Sequence, residues 1–238
     1  MIKIQDFYKA LSEKCIEISN DSFSDEEKIK VIGKSHSFID DYNSWLSVLS
    51  EKPEYYILQI AIREYQTALL ANVLGLYNLA FTGLRFFFER SLIAVMFSSK
   101  ELDLRLWEKS ERDTYWNEII DNDAGIFSHR FSRAFFPDLK DECLHYKRMS
   151  EKVYRECSEF VHGNIISQKK VPETLIYHQD LSQEWHQKVV TIRSVIFFTF
   201  CLRYLNFLKP HQLSKIENCA LDEFSHISPI RSIFGGVK

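Results

Sequence analysis

Arg155 and His162 stand seven residues apart in the run YRECSEFVHGN, residues 154–164. On a helix, at 100° per residue, seven positions return to within about 20° of the same direction. Ser158 and Glu159 fall between them on that side, while Val153, Cys157, Phe160 and Val161 gather on the other. An arginine and a histidine on one face can cleave a phosphodiester without a metal. A 2′-hydroxyl attacks the adjacent phosphate, the imidazole moves the proton, and the guanidinium stabilises charge on the phosphoryl oxygens. The same spacing also arises on a solvated or salt-bridged face, where a histidine near a helix C-terminus is favoured by the helix dipole.

A second polar set lies in NLAFTGLRFFFERSLIAVMF, residues 78–97, which is apolar nearly all round. Such a helix belongs at the centre of a bundle. Its polar residues Asn78, Thr82, Arg85 and Glu89 recur in steps of four, three and four and form one stripe. The stripe is either an exposed strip carrying an Arg85–Glu89 i,i+4 pair or a polar wall facing a site.

The elements that must position these residues are helices throughout. Ile4, Phe7, Leu11, Cys15 and Ile18 have amphipathic spacing over residues 2–19. Ser24, with Glu27 three residues on, predicts a capping box opening a helix to about Ser50. Pro53 opens a third helix, interrupted by a turn at Gly75–Asn78. Short helical pieces are expected at Leu102–Lys109, Tyr115–Ile120 and Phe127–Phe136. The motif helix runs from about Leu139 to His162 and ends at Gly163, where helices favour glycine. Ser182 starts the last long helix, to Leu208, Pro210 opens a shorter one to about Phe224, and the rest reads as a loose tail. The expectation is one all-α domain over residues 1–238, with additional short helices around a bundle.

Composition agrees. Only 7 Gly and 5 Pro occur in 238 residues, and neither GxGxxG nor GxxxxGK[ST] is present, which argues against dinucleotide and phosphate-loop enzymes. A hydrophobic fraction of 45% with 19 Phe is ample for a core and excludes disorder. The net charge of −3 and a pI near 6.3 give no global attraction to nucleic acid or an anionic membrane. The five cysteines form no CxxC pair and read as reduced thiols, Cys157 as core packing. MIKIQDFYKALSEK lacks the apolar run of a signal peptide. The apolar stretches Leu92–Phe97 and Val195–Leu208 are too short to span a bilayer or are broken by Arg203 and Asn206. These features predict a cytoplasmic protein with no membrane partner.

Arg155-x6-His162 near the end of a helix, the Arg85/Glu89-bearing helix and the Phe135-Phe136-Pro137 segment together resemble the HEPN superfamily and its bacterial members, over roughly residues 55–208. That core would be flanked by N-terminal helices over 2–50 and a C-terminal helix and tail over 209–238. The resemblance implies a HEPN-like helical bundle, no cofactor or metal, and a homodimer through the motif helix. In many members it also implies metal-independent ribonuclease activity in toxin–antitoxin or antiphage-defence systems. Arg155 would then stabilise the phosphate and His162 would be catalytic, with Arg85, Glu89, Ser158 and Glu159 in support and Asn164, Lys169 and Lys170 contacting RNA. Active members usually carry Asn, Asp or His after the arginine. Glu156 stands there instead, and its carboxylate either repels phosphate or pairs with Arg155. The alternative is a non-catalytic helical module that binds a defence-system or signalling partner, or an antitoxin-like neutraliser of another chain.

The remaining candidates read as packing or surface. His129, His145, His178, His186, His211 and His226 show no HExxH or i,i+4 ligand pattern, and His186 with Glu184 reads as surface. Trp107 and Trp116, near Arg105 and Arg112, either stack on bases or pack.

Overall fold

The structure is a computed structural model and describes residues 3–163 and 165–236. In chain order the helices are α1 (Ile4–Ser22), α2 (Glu26–Leu49), α3 (Tyr55–Val73), α4 (Tyr77–Phe97), α5 (Glu101–Glu108), α6 (Trp116–Ile119), α7 (His129–Phe135), α8 (Cys143–Val161), α9 (Ile165–Gln168), α10 (Gln179–Tyr204), α11 (Pro210–Phe224) and α12 (Ser228–Ile233). No strand occurs among the described residues, so the fold is all-α.

α3 and α4 form an antiparallel pair joined by the turn at Gly75, and Gly83 lets them approach closely. A Cβ on Gly83 would meet the Ala68 Cβ at 3.0 Å. α2, α8 and α10 pack around this pair. Phe38 is the hub of the aromatic core, with its ring centroid 5.1 Å from Tyr65, 5.6 Å from Phe87 and 5.2 Å from Phe197. These edge-on contacts join α2, α3, α4 and α10 in the arrangement aromatic quadrupoles favour. One contiguous buried cluster runs from Phe38 to Ile230.

Several boundaries differ from the sequence expectations, each for a local reason. Asp25, not Ser24, caps α2: its carboxylate accepts from the Lys28 N–H at 2.9 Å, while Ser24 Oγ accepts from Lys28 Nζ. Pro53 sits in a turn before α3 rather than opening it. α8 begins at Cys143 because Pro137–Leu139 forms a separate 3-10 turn. α10 begins at Gln179, three residues before Ser182, because the His178 ring accepts from the Leu181 N–H at 3.3 Å. It ends at Tyr204, with a 3-10 turn over Leu205–Phe207. Among the described residues after Phe224, the chain is not a loose tail over 225–233, since Ile227 and Ile230 are buried and α12 follows Ile227.

The span Gln179–Phe207, despite Arg203 and Asn206, is long and apolar enough to cross a membrane by length and hydropathy alone. Its apolar window is 67% buried within the fold, which accounts for that character by core packing. The cysteines are free thiols, four buried and Cys15 half-buried, and burial pushes Cys157 up to about 12, consistent with packing.

Candidate functional site

α8 is amphipathic in the way its sequence requires. Cys143, Tyr146, Ser150, Val153, Cys157 and Phe160 are buried, in alternating steps of three and four. Three stacked ring pairs fix its position. Tyr146 lies 3.8 Å from Phe198 of α10, Phe160 lies 3.8 Å from Phe81 of α4, and Tyr154 lies 3.7 Å from Trp116 of α6.

With that face docked, Arg155 and His162 point outward. Both are exposed, and neither side chain has a hydrogen-bond or ion-pair partner among the described residues. They lie about 10 Å apart along the axis, at 1.5 Å per residue. His162 is the C-terminal capping residue, its N–H donating to Ser158 O at 2.9 Å, and Gly163 follows at φ +68°. That left-handed conformation suits glycine and stops the helix just beyond the imidazole.

The flanking groups are engaged elsewhere. Ser158 Oγ donates to Tyr154 O at 2.7 Å, and Glu159 accepts from Ser167 Oγ at 3.2 Å. Glu156 neither pairs with Arg155 nor stands free. It accepts from Lys188 Nζ at 2.9 Å, and Lys188 also meets Glu184 at 3.3 Å. Lys188 is buried between α8 and α10. Burial alone would lower its pKa, but the two carboxylates outweigh that and raise it. The carboxylate beside Arg155 is thus drawn toward α10, away from the outward face.

Arg85 and Glu89 do pair, at 3.8 Å, but the stripe on α4 is half-buried rather than an exposed strip. Arg85 Nη2 donates to the Tyr154 hydroxyl at 2.7 Å, and its guanidinium lies 4.9 Å from that ring centroid. Burial raises the Glu89 pKa, against the pull of Arg85 and Arg90. The pair therefore braces Tyr154, the neighbour of Arg155 in sequence but about 100° away around α8, and makes no contact with Arg155 or His162.

Lys169 and Lys170 are exposed just beyond α8, Lys170 paired with Glu184 at 3.1 Å. Asn164 lies outside the described residues. Trp107 packs against Tyr56 and Phe97, and Trp116 against Tyr154 and Phe88. Arg105 is held by Glu101 and Glu108, and Arg112 by Asp103 and Glu118, so this group is structural. No cluster of three metal-ligating side chains occurs among the described residues.

His186 corrects the sequence expectation. It is 5% exposed, not a surface residue, and Ser35 Oγ lies 2.6 Å from its Nδ1. Burial pushes its pKa down to about 4. Spacing alone did not show this, because at about 100° per residue His186 lies between the buried Ser182 and Val189 on one side and the exposed Gln183 and Val190 on the other. Comparison with protein-family models, curated proteins and solved structures finds no match to this chain.

Proposed function

We propose that this chain is a HEPN-like, metal-independent endoribonuclease of the toxin or antiphage-defence type, acting in the cytoplasm as a homodimer through α8. The observation that carries the reading is the pair Arg155 and His162, exposed on one outward face of α8 with no side-chain partner among the described residues. A single helix offers one guanidinium and one imidazole about 10 Å apart along its axis. Two copies meeting antiparallel would set Arg155 of each beside His162 of the other, making two such pairs in one cleft.

In that cleft the imidazole takes the proton of an RNA 2′-hydroxyl or returns one to the departing 5′-oxygen. The guanidinium stabilises the charge that builds on the phosphoryl oxygens. The Glu156–Lys188 pair draws the carboxylate that follows Arg155 in sequence toward α10.

The test is RNA cleavage in EDTA by the wild-type chain, Arg155→Ala and His162→Ala. Each substitution is expected to lower the rate by about 100-fold or more, the range for a lost general base or charge-stabilising donor. Equal rates in all three proteins would reject the assignment.

A second reading, a non-catalytic partner-binding module, is favoured by the apolar groove between α3 and α4, where Leu70, Leu79 and Phe86 are exposed. Under this reading, expression of the chain does not arrest growth, the chain does not cut RNA, and it purifies with a stable partner. Growth arrest relieved by His162→Ala favours the nuclease.

A further inference from the structure

The outward face of α8 carries more cations than Arg155 and His162. Arg148 and Lys152 lie about 20° and about 60° from Arg155 around the helix, and about 10 Å and about 4.5 Å from it along the axis. Both are exposed. Arg148 has no ion-pair partner among the described residues, and Lys152 meets only Glu156, at 4.0 Å. Glu156 is itself held by Lys188 at 2.9 Å. Two other carboxylates share the face: Glu151, 4.0 Å from Lys147, and Glu159, which accepts from Ser167. Lys147, Arg148, Lys152 and Arg155 thus outnumber them, in a chain whose net charge is −3.

The two flanks of this face differ. Arg148 and Lys152 are turned to the α10 side, toward Glu156. The opposite flank is covered by the segment around α6, where Trp116 stacks on Tyr154 at 3.7 Å and Asn122 Oδ1 accepts from Lys147 Nζ. These two contacts lay the segment alongside the turns that carry Arg148 and Arg155. Tyr115 precedes α6 in extended backbone, at φ −127° and ψ 134°. The Trp116 ring turns in on Tyr154, whereas Tyr115 is 58% exposed. Its segment also exposes Glu111, Asp113, Asp121 and Asp123. This flank therefore offers an aromatic face to an uncharged base and repels phosphate, while the α10 side attracts it.

We propose that α8 and Tyr115 take RNA as a single strand, with phosphates on Arg148 and Lys152 and an unpaired base stacked on the Tyr115 ring. The inference rests on the nuclease reading and specifies the form of RNA that reading requires. Where Arg155 lies beside His162 of a second copy, the α8 of that copy ends opposite Arg155. The turns bearing Arg148 and Lys152 then extend past it and stay open to the strand. A duplex keeps its bases stacked on one another and presents none to Tyr115. Stacking on an aromatic ring tolerates any base, so the site selects strandedness rather than sequence.

The test is fluorescence anisotropy of the full chain with a mixed-sequence RNA of about 12 nucleotides, a length that spans such a groove. Every 2′-oxygen is methylated, so the attacking hydroxyl is absent and binding alone is read. The single strand is expected to bind about tenfold more tightly, or better, than the same strand annealed to its complement. Tyr115→Ala should weaken binding about fivefold or more without changing its salt dependence, and Tyr115→Phe should bind as the wild type does. Arg148→Gln with Lys152→Gln should lower the slope of log affinity against log salt by about 1.4, at about 0.7 per phosphate contact. All three positions are exposed, so denaturant midpoints should match the wild type. Equal affinity for duplex and single strand, or variants that bind as the wild type does, would overturn the proposal. Cleavage in EDTA by the wild type, with binding unaltered in these variants, rejects the strand placement and leaves the nuclease standing. The expected binding pattern without any cleavage upholds the placement and rejects the nuclease, and no binding of either form rejects both.

Discussion

Folding moves the His186 imidazole from water into a site 5% exposed, and its pKa falls from 6.5 to about 4. The unfolded chain therefore binds a proton near pH 6.5 that the folded chain refuses until about pH 4. The sign follows directly: this contribution is fully present above pH 6.5 and is lost as pH falls toward 4. A difference of this size corresponds to about 3 kcal/mol at most, since one pKa unit is about 1.4 kcal/mol. Urea unfolding at pH 7 and pH 4.5 should show the wild type losing roughly 2–3 kcal/mol more than His186→Gln. Equal losses would mean that the ring is solvated. Arg155 and His162 behave oppositely. Both are exposed, so their alanine variants should keep their stability within about 0.5 kcal/mol while activity falls. That separation lets the cleavage assay report chemistry rather than folding.

At the scale of the element, α8 is held by ring stacking on one flank and by ions on the other. Tyr154 joins α8 to α6 through Trp116 and to α4 through Arg85, and the Lys188 network ties α8 to α10. Tyr154→Phe keeps the stack and loses only the Arg85 hydrogen bond, so it should cost about 1–2 kcal/mol. Tyr154→Ala also loses the stack and leaves Arg85 without its acceptor, and should cost about 3 kcal/mol. Denaturant midpoints of the two variants measure the difference, and equal costs would show that the stack contributes nothing. Gly163 serves the same element, because its left-handed backbone ends the helix one residue after His162.

For the whole molecule, the buried cluster from Phe38 to Ile230 leaves α1 mostly outside. Ile18 and Ser22 are buried against the body, while Ile4, Phe7, Tyr8 and Leu11 remain exposed. A dimer through α8 predicts sedimentation at twice the 28.2 kDa chain mass, unchanged in a Phe7→Ser/Leu11→Ser double variant. If that variant sediments as a single chain, association runs through α1 rather than α8. A single-chain mass for the wild type would leave the two motif helices no way to meet.

The all-helical architecture, the turn at Gly75 and the outward face of α8 were legible in the residues themselves. They follow from local rules: apolar spacing near 3.6 and a glycine where φ is positive. Period states which side of a helix is apolar, and for α8 that alone turns Arg155 and His162 outward. It does not state what a polar group meets across the bundle. Glu156 pairs with Lys188 and not Arg155, Arg85 donates to Tyr154 as well as facing Glu89, and His186 meets Ser35 rather than water. Those partners are 32, 69 and 151 residues apart in the chain. The sequence by itself thus determined that the long helices form and which face α8 buries. Tertiary packing decided which charges are paired and which imidazole is neutral, because both depend on the solvent and neighbours that distant segments exclude or supply.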